Sequence, residues 1–152
     1  MIVDTHIEEL KALFIKHSVV LAYLFGSQAE GKATPLSDID LAVLFRSNMP
    51  ANQRFRTQID LIGDCGHVFK RNDVDVIALN EALPLLAYQV VKFGRALYED
   101  PKTRPLVDFV TYTLSRHADT IPFRRLQHQY LFDRIRRHKA SLASDEKQPF
   151  GE

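Results

Sequence analysis

Two aspartates and a glycine–serine pair are the residues of this chain whose types and spacing point to chemistry. Gly26-Ser27 directly follows one short apolar run, and Asp38 and Asp40 directly precede another. Because side chains alternate across a strand, residues 38 and 40 point to the same face. Two close carboxylates repel each other, and a hard cation such as Mg²⁺ between them relieves that repulsion. This pattern therefore predicts a divalent-cation site.

The glycine–serine pair has the properties of a phosphate-binding turn. Gly26 lets the backbone approach an anion with no side chain in the way, and Ser27 adds a hydroxyl donor. We expect a short helix from Gln28 to Lys32, whose free N–H groups would point at the same anion. A glycine–serine turn or a serine–aspartate loop is common without any catalytic role. Their combination across two neighbouring strands favours a site for a nucleotide with Mg²⁺.

Short apolar strands must hold these residues in place. The runs before Gly26 and after Asp40 are rich in branched and aromatic residues and are bounded by turn residues, which is typical of buried strands. A third run has Asp73 and Asp75 on one face, and a fourth is an edge-strand candidate. The strands are predicted at Val19–Phe25, Asp38–Phe45, Asp73–Leu79 and Arg95–Glu99.

Apolar residues at helical spacing predict helices that cover the sheet. Thr5 and Glu8 have the spacing of a capping box with Thr5 as N-cap, and Asn80 is the predicted N-cap of a later helix. Pro84 suits a first helical turn and Gly94 a helix end. The predicted helices run from after Thr5 to about His17, from Ala51 to Phe69 and from Glu81 to Phe93. Their predicted buried residues are Ile7, Leu10, Leu13 and Phe14, then Phe55, Ile59, Ile62 and Phe69, then Leu83, Leu86, Ala87, Val90 and Val91.

The segments Leu24–Ser27 and Ser37–Val43 resemble the signature of the polymerase-beta-type nucleotidyltransferases. Within that superfamily they are similar to the minimal nucleotidyltransferase group (MNT), and the likeness continues through Val74–Asn80 and Gly94–Glu99. It covers about residues 5 to 100. The resemblance implies an α/β (α+β) fold, in which helices flank a small mixed sheet of about four strands and a C-terminal helical pair follows.

The resemblance also implies a set of site residues. Polymerase-beta-type enzymes carry a third carboxylate on a neighbouring strand, and in this sequence that position falls on Asp75. Two Mg²⁺ ions would be held by Asp38, Asp40 and Asp75, with ATP as the substrate, and Asp75 would accept a proton from the attacking hydroxyl. Asp73 is interpreted as a turn residue, and its part in the metal site stays open. The nucleotide-binding residues implied are Gly26, Ser27 and Ser37, with Lys32 as a further candidate.

MNT proteins are encoded beside HEPN-type ribonuclease toxins, and in that group the antitoxin transfers AMP to a toxin tyrosine. The resemblance therefore implies the antitoxin of a type VII pair, working as a protein adenylyltransferase in a hetero-oligomer with its toxin. Chain length agrees, because 152 residues leave little beyond the core to hold a second small substrate. Three alternatives remain: a non-catalytic antitoxin, a small-molecule (antibiotic) nucleotidyltransferase, and a nucleotide-binding module of a larger complex.

Composition sets the remaining expectations. The chain is 45% hydrophobic, carries a net charge of +1 and has one cysteine, Cys65. This predicts a buried thiol, a cytoplasmic chain without disulfides, and no membrane span. We expect a nucleotidyltransferase core at 1–100, a helical extension packed on it at 101–140, and a disordered tail at 141–152. A basic helix from Phe123 to Lys139 is either a solvated face or a docking surface for an acidic partner. It lacks interleaved aromatic residues, which argues against direct nucleic-acid binding.

Overall fold

The computed structural model describes residues 2–32, 34, 37–120, 125, 129, 136 and 137. The chain forms two compact units, Met1–Ser115 and Arg116–Glu152. All the candidate site residues lie in the first unit. In the second unit, residues 116–120 are helical. Most of the predicted basic helix and all of the predicted tail lie outside the described residues.

A mixed sheet of four strands lies at the centre of the first unit: β1 (Val19–Phe25), β2 (Ile39–Phe45), β3 (Val74–Ala78) and β4 (Arg95–Glu99). The strand order is β3-β2-β1-β4. β1 pairs antiparallel with β2 and β4, whereas β2 and β3 run parallel. The predicted mixed sheet of about four strands is confirmed, with β4 at one edge. β2 and β3 each begin one residue later than predicted, so Asp38 and Asp73 precede their strands.

Three helices pack on one face of the sheet: α1 (Ile2–Thr5), α2 (Ile7–Lys16) and α3 (Ala51–Phe69). The prediction for α2 is confirmed on its buried side, where Leu10 and Phe14 are fully buried. Each such side chain contributes roughly 1.5–3 kcal/mol by leaving water. The residues of this first core cluster include Val3, Leu10, Phe14, Ala22, Leu24, Ile39, Leu41, Val43, Leu61, Cys65, Phe69, Val74 and Val76.

The predicted capping box at Thr5 is wrong. Residues Ile2–Thr5 form their own helical turn, and α2 starts at Ile7 with His6 at its N-cap and no side-chain capping bond. An N-cap residue needs non-helical backbone angles so that its oxygen can reach the free N–H groups. Thr5 is itself helical and therefore cannot serve as that cap.

α3 has the predicted bounds, and Phe69 is buried and Ile62 partly buried as predicted, but the first part of the predicted stripe is wrong. Leu61, Cys65 and Phe69 face the sheet, whereas Phe55 and Ile59 are 64% and 52% exposed. Both sets recur every four residues, so each forms a continuous stripe along a helix. Spacing alone did not distinguish them, and packing of the helix on β2 and β3 selected the later stripe. The prediction that Cys65 is buried is confirmed.

Two helices pack on the other face: α4 (Pro84–Phe93) and the part of α5 that belongs to the first unit, residues 106–115. They contribute Val90 and Phe109 to a second core cluster, which also contains Leu21, Tyr23, Ala42 and Leu79. The sheet is thus buried on both faces, which explains why its strands are continuous apolar runs. Pro84 occupies the first turn of α4, and the helix ends at Gly94, as predicted.

The predicted start of α4 and two of its buried residues are wrong. Residues Leu79–Glu81 form a 3₁₀ turn, and Leu83 is at the N-cap of α4. Asn80 instead binds the end of β2: its Oδ1 accepts a bond from Phe45 N at 2.9 Å, and its Nδ2 donates to Phe45 O at 3.1 Å. Leu83 and Leu86 are exposed, while Ala87 and Val90 are buried. Among the described helices, none combines the length and the hydropathy that crossing a membrane requires.

Candidate active site

Three aspartates lie near the starts of β2 and β3: Asp38, Asp40 and Asp75. Asp40 lies opposite Asp75 in the parallel register and opposite Phe25 in the antiparallel register. By strand alternation Asp40 shares a face with Ala42, and Asp75 shares a face with Ile77, on the side covered by α4. Asp38 lies two residues before Asp40. The register therefore places Asp40 and Asp75 side by side on one face, whereas strand alternation does not extend to Asp38, which precedes β2.

The central carboxylate is in an unfavourable environment for a negative charge. Burial, and then the charges of Asp75 and Asp38, raise the pKa of Asp40 above its usual range. Asp40 is partly buried, whereas its two neighbours are exposed. Burial and like charges both disfavour the ionised form of Asp40, and a cation beside this carboxylate would oppose both effects.

Gly26 lies directly against the carboxylate of Asp40. Its φ is +71°, a left-handed conformation, and a Cβ at this position would lie 2.5 Å from Asp40 Oδ2. That distance is far inside van der Waals contact. The bend after β1 and the acid at the start of β2 are therefore adjacent, and only glycine allows both the backbone angle and the approach.

The short helix predicted from Gln28 to Lys32 is absent. A three-residue 3₁₀ turn, Gly26–Gln28, follows β1, and its carbonyls accept bonds from the next few N–H groups. Ala29 N and Glu30 N donate to Gly26 O, and Lys32 N donates to Ser27 O. Gly31, with φ +72°, ends this folded segment. A turn this short does not provide the array of free N–H groups that a longer helix would point at a phosphate.

The two serines differ in their surroundings. Ser27 is half-buried within the 3₁₀ turn beside Gly26. The Oγ of Ser37 accepts a bond from Thr34 N at 2.8 Å and lies 3.3 Å from Thr34 Oγ1. Ser37 therefore shapes the loop that leads to Asp38. Lys32 is exposed on the same connection.

Asp73 pairs with an arginine that the sequence pattern did not single out. Arg71 Nε donates to Asp73 Oδ1 at 2.7 Å, Arg71 Nη2 donates to Asp73 Oδ2, and Nη2 also donates to Ser37 O at 2.5 Å. The bond from Arg71 lowers the pKa of Asp73. The interpretation of Asp73 as a residue of the strand entrance is confirmed. The only feature of the sequence that pointed to this pair is that Arg71 and Asp73 are two residues apart.

The donor set of the three aspartates suits Mg²⁺. Carboxylate oxygens are hard ligands, and Mg²⁺ is usually bound by one or two carboxylates with substrate phosphates and water completing its octahedron. Within the described residues, no three His, Cys, Asp or Glu side chains are gathered closely enough to enclose an ion by themselves. The residues therefore fit a site that phosphate oxygens would complete.

A cavity of about 270 Å³ opens beside Gly26, the residue that lies against Asp40. It lies between the bend after β1 and one side of α4, on the face of the sheet that carries the acids. The polar side chains in its wall belong to Glu30 and Gln89. The lining residues are Phe25, Gly26, Glu30, Leu86, Gln89 and Phe93. Gly26 is thus part of its wall, whereas none of the three aspartates lines it.

The chain matches the model of the family described as "Polymerase beta, Nucleotidyltransferase" over residues 8–103. All six predicted site residues fall inside that match. A relative from Aphanizomenon flos-aquae, named protein adenylyltransferase MntA, is 32% identical over 105 residues. The aligned region covers 62% of this chain and 70% of the relative.

Solved structures have the same fold. A crystal structure of a toxin–antitoxin with AMP-PNP is similar at 25% identity and a TM-score of 0.64, covering 85% of this chain and 97% of that chain. A complex of a tri-AMPylated Shewanella oneidensis HEPN toxin with an MNT antitoxin is similar at 24% identity and a TM-score of 0.59. It covers 89% of this chain and 98% of that chain. The second likeness bears on the fold alone.

Proposed function

The chain belongs to the polymerase beta nucleotidyltransferase family, and on that premise we propose that it is the antitoxin of a type VII toxin–antitoxin pair. It acts as a protein adenylyltransferase that moves AMP from ATP to a tyrosine of a HEPN ribonuclease toxin. The observation that carries the proposal is the meeting of Asp40 with both Gly26 and Asp75, because it places a phosphate-accessible bend beside three carboxylates. The name of the Aphanizomenon relative supports protein as the acceptor.

Each site residue has a part that follows from its chemistry. Asp38, Asp40 and Asp75 would hold the Mg²⁺ ions, which when bound stabilise negative charge on the attacking and leaving oxygens. Asp75, on the outer strand β3, accepts the proton of the tyrosine hydroxyl. Gly26 leaves room for the diphosphate, and the Ser27 hydroxyl donates to it. Ser37 completes the nucleotide-binding set by holding the loop before Asp38.

We assign the catalytic core to residues 1–100 and the helical extension to residues 101–140. The family match over 8–103 supports a boundary in this region. We also place the protein in the cytoplasm, where its single buried thiol is stable in the reduced form.

Neutralising either central acid tests the proposed function. Asp38→Asn and Asp40→Asn each remove one negative charge with almost no change in volume, so both variants should fold. We expect AMP transfer to fall by at least about 10³-fold in each, because removal of one preorganised electrostatic group costs about 10²–10³ in rate and here a metal ligand is also lost. The measurement is the mass gain of the purified toxin after incubation with ATP and Mg²⁺.

Two results of this experiment would reject the proposal in different ways. A wild-type protein that binds the toxin without adding mass would be a non-catalytic antitoxin. A wild-type protein that adenylylates the toxin, with both asparagine variants fully active, would disprove the metal assignment. Asp60→Asn, on exposed α3 surface on the other face of the sheet, is the matched control and should leave transfer unchanged.

A further inference from the structure

We propose that Arg71 is a positioning residue for the metal site: its guanidinium holds the loop that carries Asp38. The inference rests on the proposed function, because it concerns the same carboxylates, but it names a residue outside the set that contacts metal or nucleotide. Arg71 lies between the end of α3 and the start of β3. It reaches across to a backbone carbonyl 34 positions earlier in the chain.

Asp38 needs such support because it precedes the strand. The first ladder bond of β2 on this side joins Ile39 N to Asp73 O at 3.0 Å. The residue before Asp38, Ser37, offers its carbonyl to Arg71 Nη2 at 2.5 Å. Asp38 itself is exposed. Its backbone is therefore held on both sides by the segment 71–73, through a side chain at one end and a carbonyl at the other.

The guanidinium is itself fixed in two ways. Its Nε and Nη2 both donate to the carboxylate of Asp73, a bidentate geometry that Lys could not reproduce. The backbone of Arg71 is fixed by the end of α3, where Lys70 adopts a left-handed φ of 54° and Arg71 N donates to Gly66 O at 3.1 Å. The position of Asp38 is thereby linked to the end of α3, which Phe69 anchors in the core.

This arrangement also answers the open question about Asp73. Its carboxylate accepts two bonds from Arg71, and its carbonyl accepts the bond from Ile39 N. The Asp73 carboxylate and the Arg71 guanidinium therefore hold each other in position. We assign Asp73 to the positioning pair and not to the metal ligands.

The first comparison uses three variants of this chain. Arg71→Met removes the two hydrogen bonds to Asp73 and the one to Ser37 O. Arg71→Lys keeps the positive charge but cannot form the bidentate bond. Arg54→Met is the matched control, because Arg54 also joins a backbone carbonyl, Met49 O at 2.7 Å, to a carboxylate, Glu81 at 2.6 Å. Arg54 is 18% exposed and Arg71 is 20% exposed, so the two substitutions should cost similar stability.

Two readouts are measured for each variant. The first is Mn²⁺ affinity, followed by electron paramagnetic resonance with a non-hydrolysable ATP analogue bound. The second is the kcat of AMP transfer. We expect Arg71→Met to lower both by roughly 10–100-fold, as loss of residues that orient metal ligands does. Arg71→Lys should be intermediate, and Arg54→Met should match the wild type in both.

Asp73→Asn, alone and with Arg71→Met, separates positioning from direct ligation. If Asp73 acts through Arg71, the double variant binds Mn²⁺ no more weakly than Arg71→Met alone. A further loss in the double variant would make Asp73 a ligand and overturn its assignment. Equal Mn²⁺ affinity and kcat in Arg71→Met and wild type would overturn the proposal for Arg71.

Failure of this inference is distinct from failure of the proposed function. A wild-type chain that transfers no AMP would reject the function, while Mn²⁺ affinity would still test the positioning role. Unfolding in urea checks that each variant is folded. Should Arg71→Met be unfolded, Arg71→Lys and Asp73→Asn carry the same comparison, and wild-type affinity in both would count against the proposal.

Discussion

At the scale of single residues, the contact between Gly26 and Asp40 links the two halves of the site. The missing Cβ gives space that the carboxylate occupies, at 2.5 Å from where that atom would stand. Two roles are combined in one glycine: a left-handed backbone and an uncovered approach to an acid. These roles can be separated, because Gly31 has nearly the same φ, +72°, with no atom within 4 Å of its Cβ position.

Gly26→Ala should reduce AMP transfer far more than Gly31→Ala. Both substitutions impose a left-handed alanine, which costs about 1–2 kcal/mol of unfolding free energy. Only the first pushes the Asp40 carboxylate aside, and misplacement of about 1 Å in an active site costs about 10²-fold in rate. Urea unfolding and initial transfer rates are measured on both variants. Equal activities of the two variants would show that the contact with Asp40 does not matter for catalysis.

At the scale of elements, features that depend on local sequence patterns were predicted correctly, whereas features that depend on long-range packing were not. The bounds of β1, α3 and β4 follow from the sequence because apolar runs and helical spacing are local properties. The face of α3 that is buried does not, since Phe55 and Leu61 belong to equally good stripes. The role of Arg71 could not be predicted for the same reason, because its contact with Ser37 depends on how α3 and β3 pack. The family resemblance pointed to Asp75, and the parallel register pairs it with Asp40, while the role of the three acids as metal ligands stays a prediction.

Asn80 shows how one side chain closes a strand end, and its loss should destabilise the fold. Its amide replaces a missing neighbouring strand by pairing with both polar groups of Phe45. Asn80→Leu leaves both of these backbone groups without that partner, which should cost about 1–3 kcal/mol of unfolding free energy. Urea unfolding measures the change. Asn48→Leu, on exposed loop surface, is the control and should change stability little.

A hydrogen bond between His17, at the C-cap of α2, and Asp64 on α3 should make stability depend on pH. His17 Nε2 lies 2.7 Å from Asp64 Oδ2, and this bond lowers the pKa of Asp64. A lowered folded pKa means that the stabilisation is present above the ordinary aspartate value of about 3.9 and is lost as pH falls through the folded value. Asp64→Asn should therefore destabilise the protein at neutral pH, by up to about 1 kcal/mol for a partly exposed pair.

The measurement is the unfolding free energy of Asp64→Asn and wild type across this pH range. We expect the two curves to converge below the folded pKa of Asp64, because the wild-type carboxyl is then neutral as well. Asp60→Asn, also on α3, should run parallel to the wild type. A constant difference between Asp64→Asn and wild type at every pH would contradict a charge-based contribution.

At the scale of the whole molecule, the two faces of the sheet have different surroundings. The acids open on the face covered by α4, so an acceptor protein must approach from that side. α4 presents apolar side chains to solvent there, among them Phe93 at 52% exposure. Phe55, on α3, is similarly exposed but lies on the other face. The proposed protein acceptor therefore predicts unequal roles for two similar phenylalanines.

Phe93→Ser should weaken binding of the toxin, while Phe55→Ser should not. Burial of an aromatic side chain at an interface contributes about 1.5–3 kcal/mol, which corresponds to roughly a tenfold or larger change in Kd. Binding is measured by calorimetry without nucleotide, so that effects on ATP do not enter. Equal Kd values for the two variants would show that the toxin does not approach over α4.

The single thiol on α3 offers a way to observe the molecule open. Cys65 is fully buried, and burial, followed by the charge of Asp64, raises its pKa to about 12. Alkylating reagents need a thiolate in contact with solvent, so they will label this chain only in molecules whose α3 has left the sheet. Labelling at one site, followed over time, would then report the opening rate of the free protein. The same labelling rate, measured on the assembled complex, would report how fast α3 opens while the protein is bound to its partner.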